Sequence, residues 1–100
     1  MATPESKAQK KMTDHLKADG YFVVKLMATN KNGIPDLLAV KEDVPNIWVE
    51  AKTEVGKLSK LQEHRIQELI EHGQSIIIPY GYEDFVFQYL KYKRFHGINQ

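Results

Sequence analysis

Apolar residues recur at Ala8, Met12 and Leu16 with charged and polar residues between them, the spacing of one buried stripe on a helix. Thr3 is a good cap, Pro4 suits a first helical turn and Gly20 stops the run, so the pattern predicts a helix from Pro4 to about Asp19. Glu5 falls on that same stripe, which aligns a carboxylate with the core-facing side. The pattern then changes period. Tyr21 to Met27 (YFVVKLM) is aromatic and β-branched and predicts a strand, followed by a polar, turn-rich loop from Ala28 to Pro35. Two more strands follow, Asp36 to Lys41 (DLLAVK) and Asn46 to Thr53 (NIWVEAKT). The short turn-like segment Glu42-Asp43-Val44-Pro45 favours an antiparallel hairpin between them.

Ser59 can cap a helix that runs to about His72 and closes at Gly73. Its stripe is Leu58, Leu61, Ile66, Leu69 and Ile70, with Gln62 near the middle and Arg65 beside it. Ser75 to Pro79 (SIIIP) is almost wholly apolar, as expected of a strand covered on both faces. Asp84 to Phe95 predicts a last helix, rich in aromatics and ending in basic residues. The order αβββαβα is an α/β or α+β arrangement with one mixed sheet flanked by helices.

Composition narrows the function classes. A chain of 100 residues leaves room for one domain, here spanning positions 1–100. The absence of cysteine excludes disulfides, thiolate zinc sites and a cysteine nucleophile. The N-terminal MATPESKAQKK is too charged for a secretory signal, and no apolar run approaches membrane-spanning length. These features predict a cytoplasmic protein with no membrane partner. A net charge of +1 does not announce a nucleic-acid binder, but Lys7, Lys10 and Lys11, and Lys91, Lys93 and Arg94, form local basic clusters. Each cluster is equally compatible with phosphate contacts and with a solvated helix face.

Strand alternation in NIWVEAKT puts Ile47, Val49 and Ala51 on one face and Trp48, Glu50 and Lys52 on the other. Taken alone, Glu50 and Lys52 fit an edge ion pair as well as they fit a catalytic pair. Asp36 changes the balance, because a hairpin partner can bring its carboxylate to Glu50. Two carboxylates held close repel, which raises one pKa unless a cation lies between them. Oxygen-only ligands of this kind suit Mg²⁺ with waters and a substrate phosphate, and a neighbouring lysine can stabilise charge on a phosphate under attack.

Three ordered motifs carry a family resemblance: Gly33-Ile34-Pro35-Asp36, then Glu50-Ala51-Lys52, then Gly56-Lys57-Leu58-Ser59-Lys60-Leu61-Gln62. This series resembles the PD-(D/E)xK nuclease superfamily and, more narrowly, its VRR-NUC family, over about Glu5 to Gly73. The resemblance implies the restriction-endonuclease-like αβββαβ core with one added C-terminal helix. It implies that Asp36 and Glu50, with the Ala51 carbonyl, hold Mg²⁺ or Mn²⁺, that Lys52 is the catalytic lysine, and that Gln62 reaches the same site. Glu5 would be the first-helix acid near the metal, although a carboxylate in a first turn is also favoured by the helix dipole alone. Stand-alone members resemble dimeric, junction-cleaving enzymes, so the resemblance favours a homodimer on branched or Holliday-junction DNA and no nucleotide cofactor. The competing reading is a non-catalytic DNA-binding module that keeps the nuclease fold.

Phosphate contacts are expected from Lys25, Lys57 and Lys60 around the site and from Asn30 and Lys31 in the loop before Asp36. Arg65 fits either a phosphate or a partner such as Glu68 or Glu50. His15, His64, His72 and His96 lack any zinc or triad spacing, and His15 and His64 are expected at the surface or rim. Trp48 fits packing under the neighbouring helix. Phe85, Phe87, Tyr89, Tyr92 and Phe95 are too many for one core-facing stripe, so some must be exposed or covered by another subunit.

Overall fold

Thr3 opens the first helix through a reciprocal capping box, its hydroxyl accepting from the Ser6 N–H while the Ser6 hydroxyl accepts from the Thr3 N–H. In the computed structural model, which describes residues 3–53 and 56–98, this helix (α1, Pro4–Ala18) buries Met12 and Leu16. Four strands follow in one sheet of order β1-β2-β3-β4: β1 (Phe22–Lys25), β2 (Leu37–Val40), β3 (Ile47–Val49) and β4 (Ser75–Ile77). The first three pair antiparallel, and β4 runs parallel to β3. That parallel return is made by helix α2 (Lys60–Glu71), and helix α3 (Tyr82–Phe95) closes the order. The architecture is the mixed-sheet α+β arrangement expected from the sequence.

Burial in β2 and β3 alternates. Leu37, Ala39, Ile47, Val49 and Ala51 turn to one face and join Met12, Leu16, Phe85 and Tyr89 of α1 and α3 in the core. Trp48 and Glu50 turn to the other face, where α2 lies and where Trp48 Nε1 donates to Gln74 Oε1 at 2.8 Å. The α2 side is the thinner layer. Of the expected stripe only Ile66 is buried, while Leu61 and Ile70 stay largely exposed, because a single helix covers this face of a four-stranded sheet.

Several boundaries differ from expectation for identifiable reasons. Strand β3 ends at Val49, yet the pairing continues along the end of β4 and beyond it: the N–H groups of Glu50 and Lys52 donate to the carbonyls of Ile77 and Pro79 at 3.0 and 2.9 Å. Helix α3 starts two residues before Asp84. Asp84 Oδ2 accepts from the Tyr80 N–H at 2.8 Å, so it serves the turn from inside the helix rather than opening it. The SIIIP strand lies at the sheet edge, not between two neighbours. Gln88 covers part of that edge, its amide accepting from the Ile78 N–H and donating to the Ile78 carbonyl.

His15 is the clearest correction. It is half-buried rather than at the rim, with Nδ1 2.8 Å from the Tyr82 hydroxyl and its ring edge-on to Phe85 and Tyr89. Beside it, the Tyr89 hydroxyl donates to Asp19 Oδ2 at 2.6 Å, and Lys93 Nζ stands 3.5 Å from the same oxygen. Burial pushes the Asp19 carboxyl up, but the Tyr89 hydrogen bond and the Lys93 charge outweigh it and hold the group below its usual range. The aromatic excess in α3 divides as the density required. Phe85, Tyr89 and Tyr92 are buried, while Phe87 and Phe95 are 60% and 85% exposed. No helix among the described residues is long and apolar enough to cross a membrane.

Replacing Tyr89 with Phe removes a short hydrogen bond to a charged acceptor without changing the packing volume. The Tyr89→Phe variant should lose about 1–3 kcal/mol of stability, read from the midpoint of denaturant unfolding. An unchanged midpoint would take the Tyr89–Asp19 bond out of the stabilising set.

Candidate active site

Asp36 ends the loop between β1 and β2, and its main chain is fixed when its carbonyl accepts from the Leu26 N–H at 2.8 Å. Pro35 just before it is buried, which seats the carboxylate at the start of β2. Asp36 Oδ2 accepts from the Ala51 N–H at 3.0 Å, a bond that runs across the hairpin to the segment after β3. Glu50 lies beside that amide and is only 2% exposed. Its Oε2 accepts from Gln62 Nε2 at 3.2 Å and faces Lys52 Nζ at 3.6 Å. Its Oε1 is buried and has no hydrogen-bond partner among the described residues. The alternation that placed Glu50 and Lys52 on one face is observed, and the hairpin does bring Asp36 to them.

Gln62 ties the set together. Its Nε2 holds Glu50, while its Oε1 accepts from Lys52 Nζ at 3.2 Å and from the Ser59 N–H at 2.9 Å. Ser59 Oγ in turn accepts from the Gln62 N–H, so Gln62 is at once the third residue of a capping box and the bridge between the acid and the lysine. The Gly56 position lies against the stem of Lys52, where an added Cβ would stand 3.5 Å from Lys52 Cδ.

Charge in this site is unbalanced. Burial, then the nearby Asp36 carboxylate, push Glu50 up to about 7, against the opposing pull of Lys52. Burial also raises Asp36, offset by the Ala51 N–H and by Lys52. Both shifts run in the same direction, so a proton on one of the two carboxyls relieves the repulsion between them. Replacing that proton with a dication satisfies both oxygens. Two carboxylates with a free lone pair and no sulfur or imidazole ligand fit a hard, oxygen-liganded ion that keeps several waters. Among the described residues no third acidic or imidazole side chain completes an all-protein cage. Glu5 is near enough for its charge to act on Glu50, but it is the weakest of the influences there. Ala51 contributes its N–H to Asp36, a role that the sequence did not suggest.

The expected phosphate-binding residues separate into two groups. Lys25, at the end of β1, is exposed, and its charge reaches Asp36. Asn30, Lys31, Lys57 and Lys60 are likewise exposed. Arg65 is not a free cation: its Nε donates to the Asn32 carbonyl at 2.8 Å and its Nη1 to Glu68 Oε1 at 2.8 Å. It pairs with Glu68 and not with Glu50, and it fastens the loop before Asp36 to α2. Gly33 makes that docking possible. With φ of +83° it packs where a Cβ would stand 2.9 Å from the Leu61 carbonyl and 3.1 Å from Arg65 Cγ.

A family model for the VRR-NUC domain matches residues 3–81. The chain belongs to the VRR-NUC family. A solved structure named as a VRR_NUC domain is similar at 26% identity and a TM-score of 0.75, covering 82% of this chain and 89% of its own. Another, named as a VRR_NUC domain protein, shares the fold at 17% identity and a TM-score of 0.72, covering 94% and 91%. Comparison with curated proteins gives no match. Membership makes this chain a nuclease-fold, DNA-processing domain, and the three motifs read from the sequence all lie within the matched span.

The raised Glu50 pKa has a stability consequence. The folded state holds a proton that the unfolded carboxyl releases near its ordinary value of 4.5. The metal-free protein should therefore lose stability as pH rises from about 4.5 through about 7. The loss should be on the order of 1–2 kcal/mol after allowing for water at the site. In Glu50→Gln that slope should flatten, so unfolding midpoints of both proteins across this pH range check the effect. Equal slopes would mean that Glu50 is not the group that holds the proton.

Proposed function

We propose that this VRR-NUC domain is a Mg²⁺- or Mn²⁺-dependent endodeoxyribonuclease that cuts branched or Holliday-junction DNA as a homodimer. The observation that carries the catalytic part is the buried Glu50 Oε1, which has no hydrogen-bond partner among the described residues, near the Asp36 charge and with Lys52 held alongside by Gln62. Asp36 and Glu50, with the Ala51 carbonyl, would hold the ion. A bound dication neutralises phosphate charge and acidifies the attacking water.

The chain's own residues do the rest. A water oxygen forms a new bond to phosphorus as the bond to the leaving sugar oxygen breaks, and negative charge builds on the phosphoryl oxygens. Lys52 Nζ supplies positive charge to those oxygens. Gln62 positions that ammonium and keeps Glu50 Oε2 turned toward it. Glu5 lies close enough to add negative potential to the ion site. Lys25, whose charge reaches Asp36, and the exposed Lys57, Lys60, Asn30 and Lys31 suit phosphate contacts, with no element shaped to read base edges. Arg65 serves the substrate only indirectly, through the loop that it fastens.

The homodimer reading is supported by the apolar surface of α3. Phe87, Leu90 and Phe95 stand exposed on one helix, an apolar surface that a partner copy can cover. A symmetric pair would present two carboxylate sites to one branched duplex.

Cleavage assays on linear, flap, fork and four-way DNA with Mg²⁺ or Mn²⁺ test the enzyme. Lys52→Ala should reduce the cleavage rate by at least about a hundredfold with metal-free DNA binding retained. Cleavage that survives Lys52→Ala removes the lysine from the mechanism, and no cleavage by the unaltered protein favours a binding module. Light scattering should give twice the chain mass, reverting to one chain in Phe87→Asp. A monomer at all concentrations would remove the dimer.

A further inference from the structure

The α1 lysines remain without a role in the chemistry above, and the structure does not scatter them evenly. A cleft of about 350 Å³ runs between α1 and the outer edge of β1, lined by Ser6, Gln9, Lys10, Thr13, Lys17 and Lys25, among others. Ser6, Lys10, Thr13 and Lys17 follow one another at helical spacing, so they form a single polar stripe roughly 16 Å long beside the buried Met12–Leu16 stripe. Across the cleft stands Lys25 of β1, an edge strand whose only sheet neighbour is β2. Three ammonium groups and two hydroxyls thus face one channel, against a single carboxylate, Asp14.

That carboxylate is not sequestered. Asp14 Oδ2 holds Lys10 Nζ at 2.9 Å, with both side chains well exposed, and an exposed pair of this kind is weak and exchanges readily for another anion. Gln9 also lines the channel, and its buried Oε1 has no donor, so its amide can reorient to present N–H groups.

The Ser6 and Lys25 end of the channel is the end nearer the carboxylate site in charge and in sequence. Ser6 follows Glu5, whose charge reaches Glu50, and Lys25 acts on Asp36 while its strand partner Leu37 lines the channel wall. We propose that the α1–β1 cleft is a track for one phosphodiester backbone of duplex DNA, leading from the proposed cleavage site along Lys25, Lys10 and Lys17. Charge complementarity selects the ligand: a polyanion with regularly spaced phosphates, and no pocket for a base. The inference rests on the nuclease reading and names the surface by which that substrate is held.

The test is binding of a fluorescein-labelled DNA duplex to the full chain in EDTA, followed by anisotropy across a salt series. Lys10→Gln with Lys17→Gln should weaken binding on the order of tenfold or more and lower the salt slope by about 2, as two lost phosphate contacts require. Asp14→Asn should tighten binding. Lys11→Gln removes the same charge from the same helix, but Lys11 lies over the Tyr82 ring away from the cleft, 5.8 Å from its centroid, and its replacement should leave affinity nearly unchanged. Circular dichroism shows whether each variant keeps its helices, and the gain in Asp14→Asn cannot arise from misfolding. If Lys11→Gln weakens binding as much as a cleft lysine does, net charge alone acts and the track is wrong; if Asp14→Asn has no effect, the phosphates do not pass through this cleft and the track is equally wrong. If the cleft variants bind like the unaltered protein while that protein still cuts DNA, the track fails and the nuclease reading stands. If the unaltered protein neither binds nor cuts DNA, both fail.

Discussion

Two carboxyl groups forced into one buried place set the terms for everything around them. Asp36 stands one residue before β2 and Glu50 one residue after β3, and the register of the hairpin, with Leu37 opposite Val49, brings the two together. Like charges at that range cannot both ionise without compensation. The surrounding bonds partly supply it: the Ala51 N–H on Asp36, Gln62 on Glu50, and Lys52 beside both. What they leave unsupplied among the described residues is a partner for Glu50 Oε1, and that is the opening on which the proposed metal site rests. A pair built for stability alone would have its oxygens fully used.

Rigidity around this strained centre comes from α2 rather than from the main core. The core lies on the opposite face of the sheet, where α1 and α3 bury Met12, Leu16, Phe85 and Tyr89. On the face that carries the candidate site apolar burial is thin, with Ile66 the one buried side chain of α2. Directed polar bonds compensate. Gln62 anchors the start of the helix to Glu50 and Lys52, and one turn on, Arg65 anchors it to the loop carrying Asp36. The helix thus acts as a strut between the two strands that bear the acids.

Local chemistry was legible in the sequence where it is governed by spacing. Two-residue alternation placed Glu50 and Lys52 together, and the short hairpin connection brought Asp36 to them. Capping residues located the helix starts at Thr3 and Ser59. What was not legible depends on distant partners. Nothing in the string around Arg65 indicates that a carbonyl at Asn32 will claim its Nε. His15 reads as a rim residue until α3 folds Tyr82, Phe85 and Tyr89 around it. The α2 stripe overstated burial because periodicity reports which side of a helix is apolar, not how much sheet lies beneath it.

Gln62 holds the end of α2 and the catalytic side chains with the same amide. Fraying of that first turn and misalignment of Lys52 are consequently one event, not two. Helix ends are ordinarily where a structure opens most easily, so heat would disable this centre by local opening while the aromatic core behind the sheet remained folded. Thermal inactivation would then precede the loss of overall structure, with its temperature set by a single glutamine.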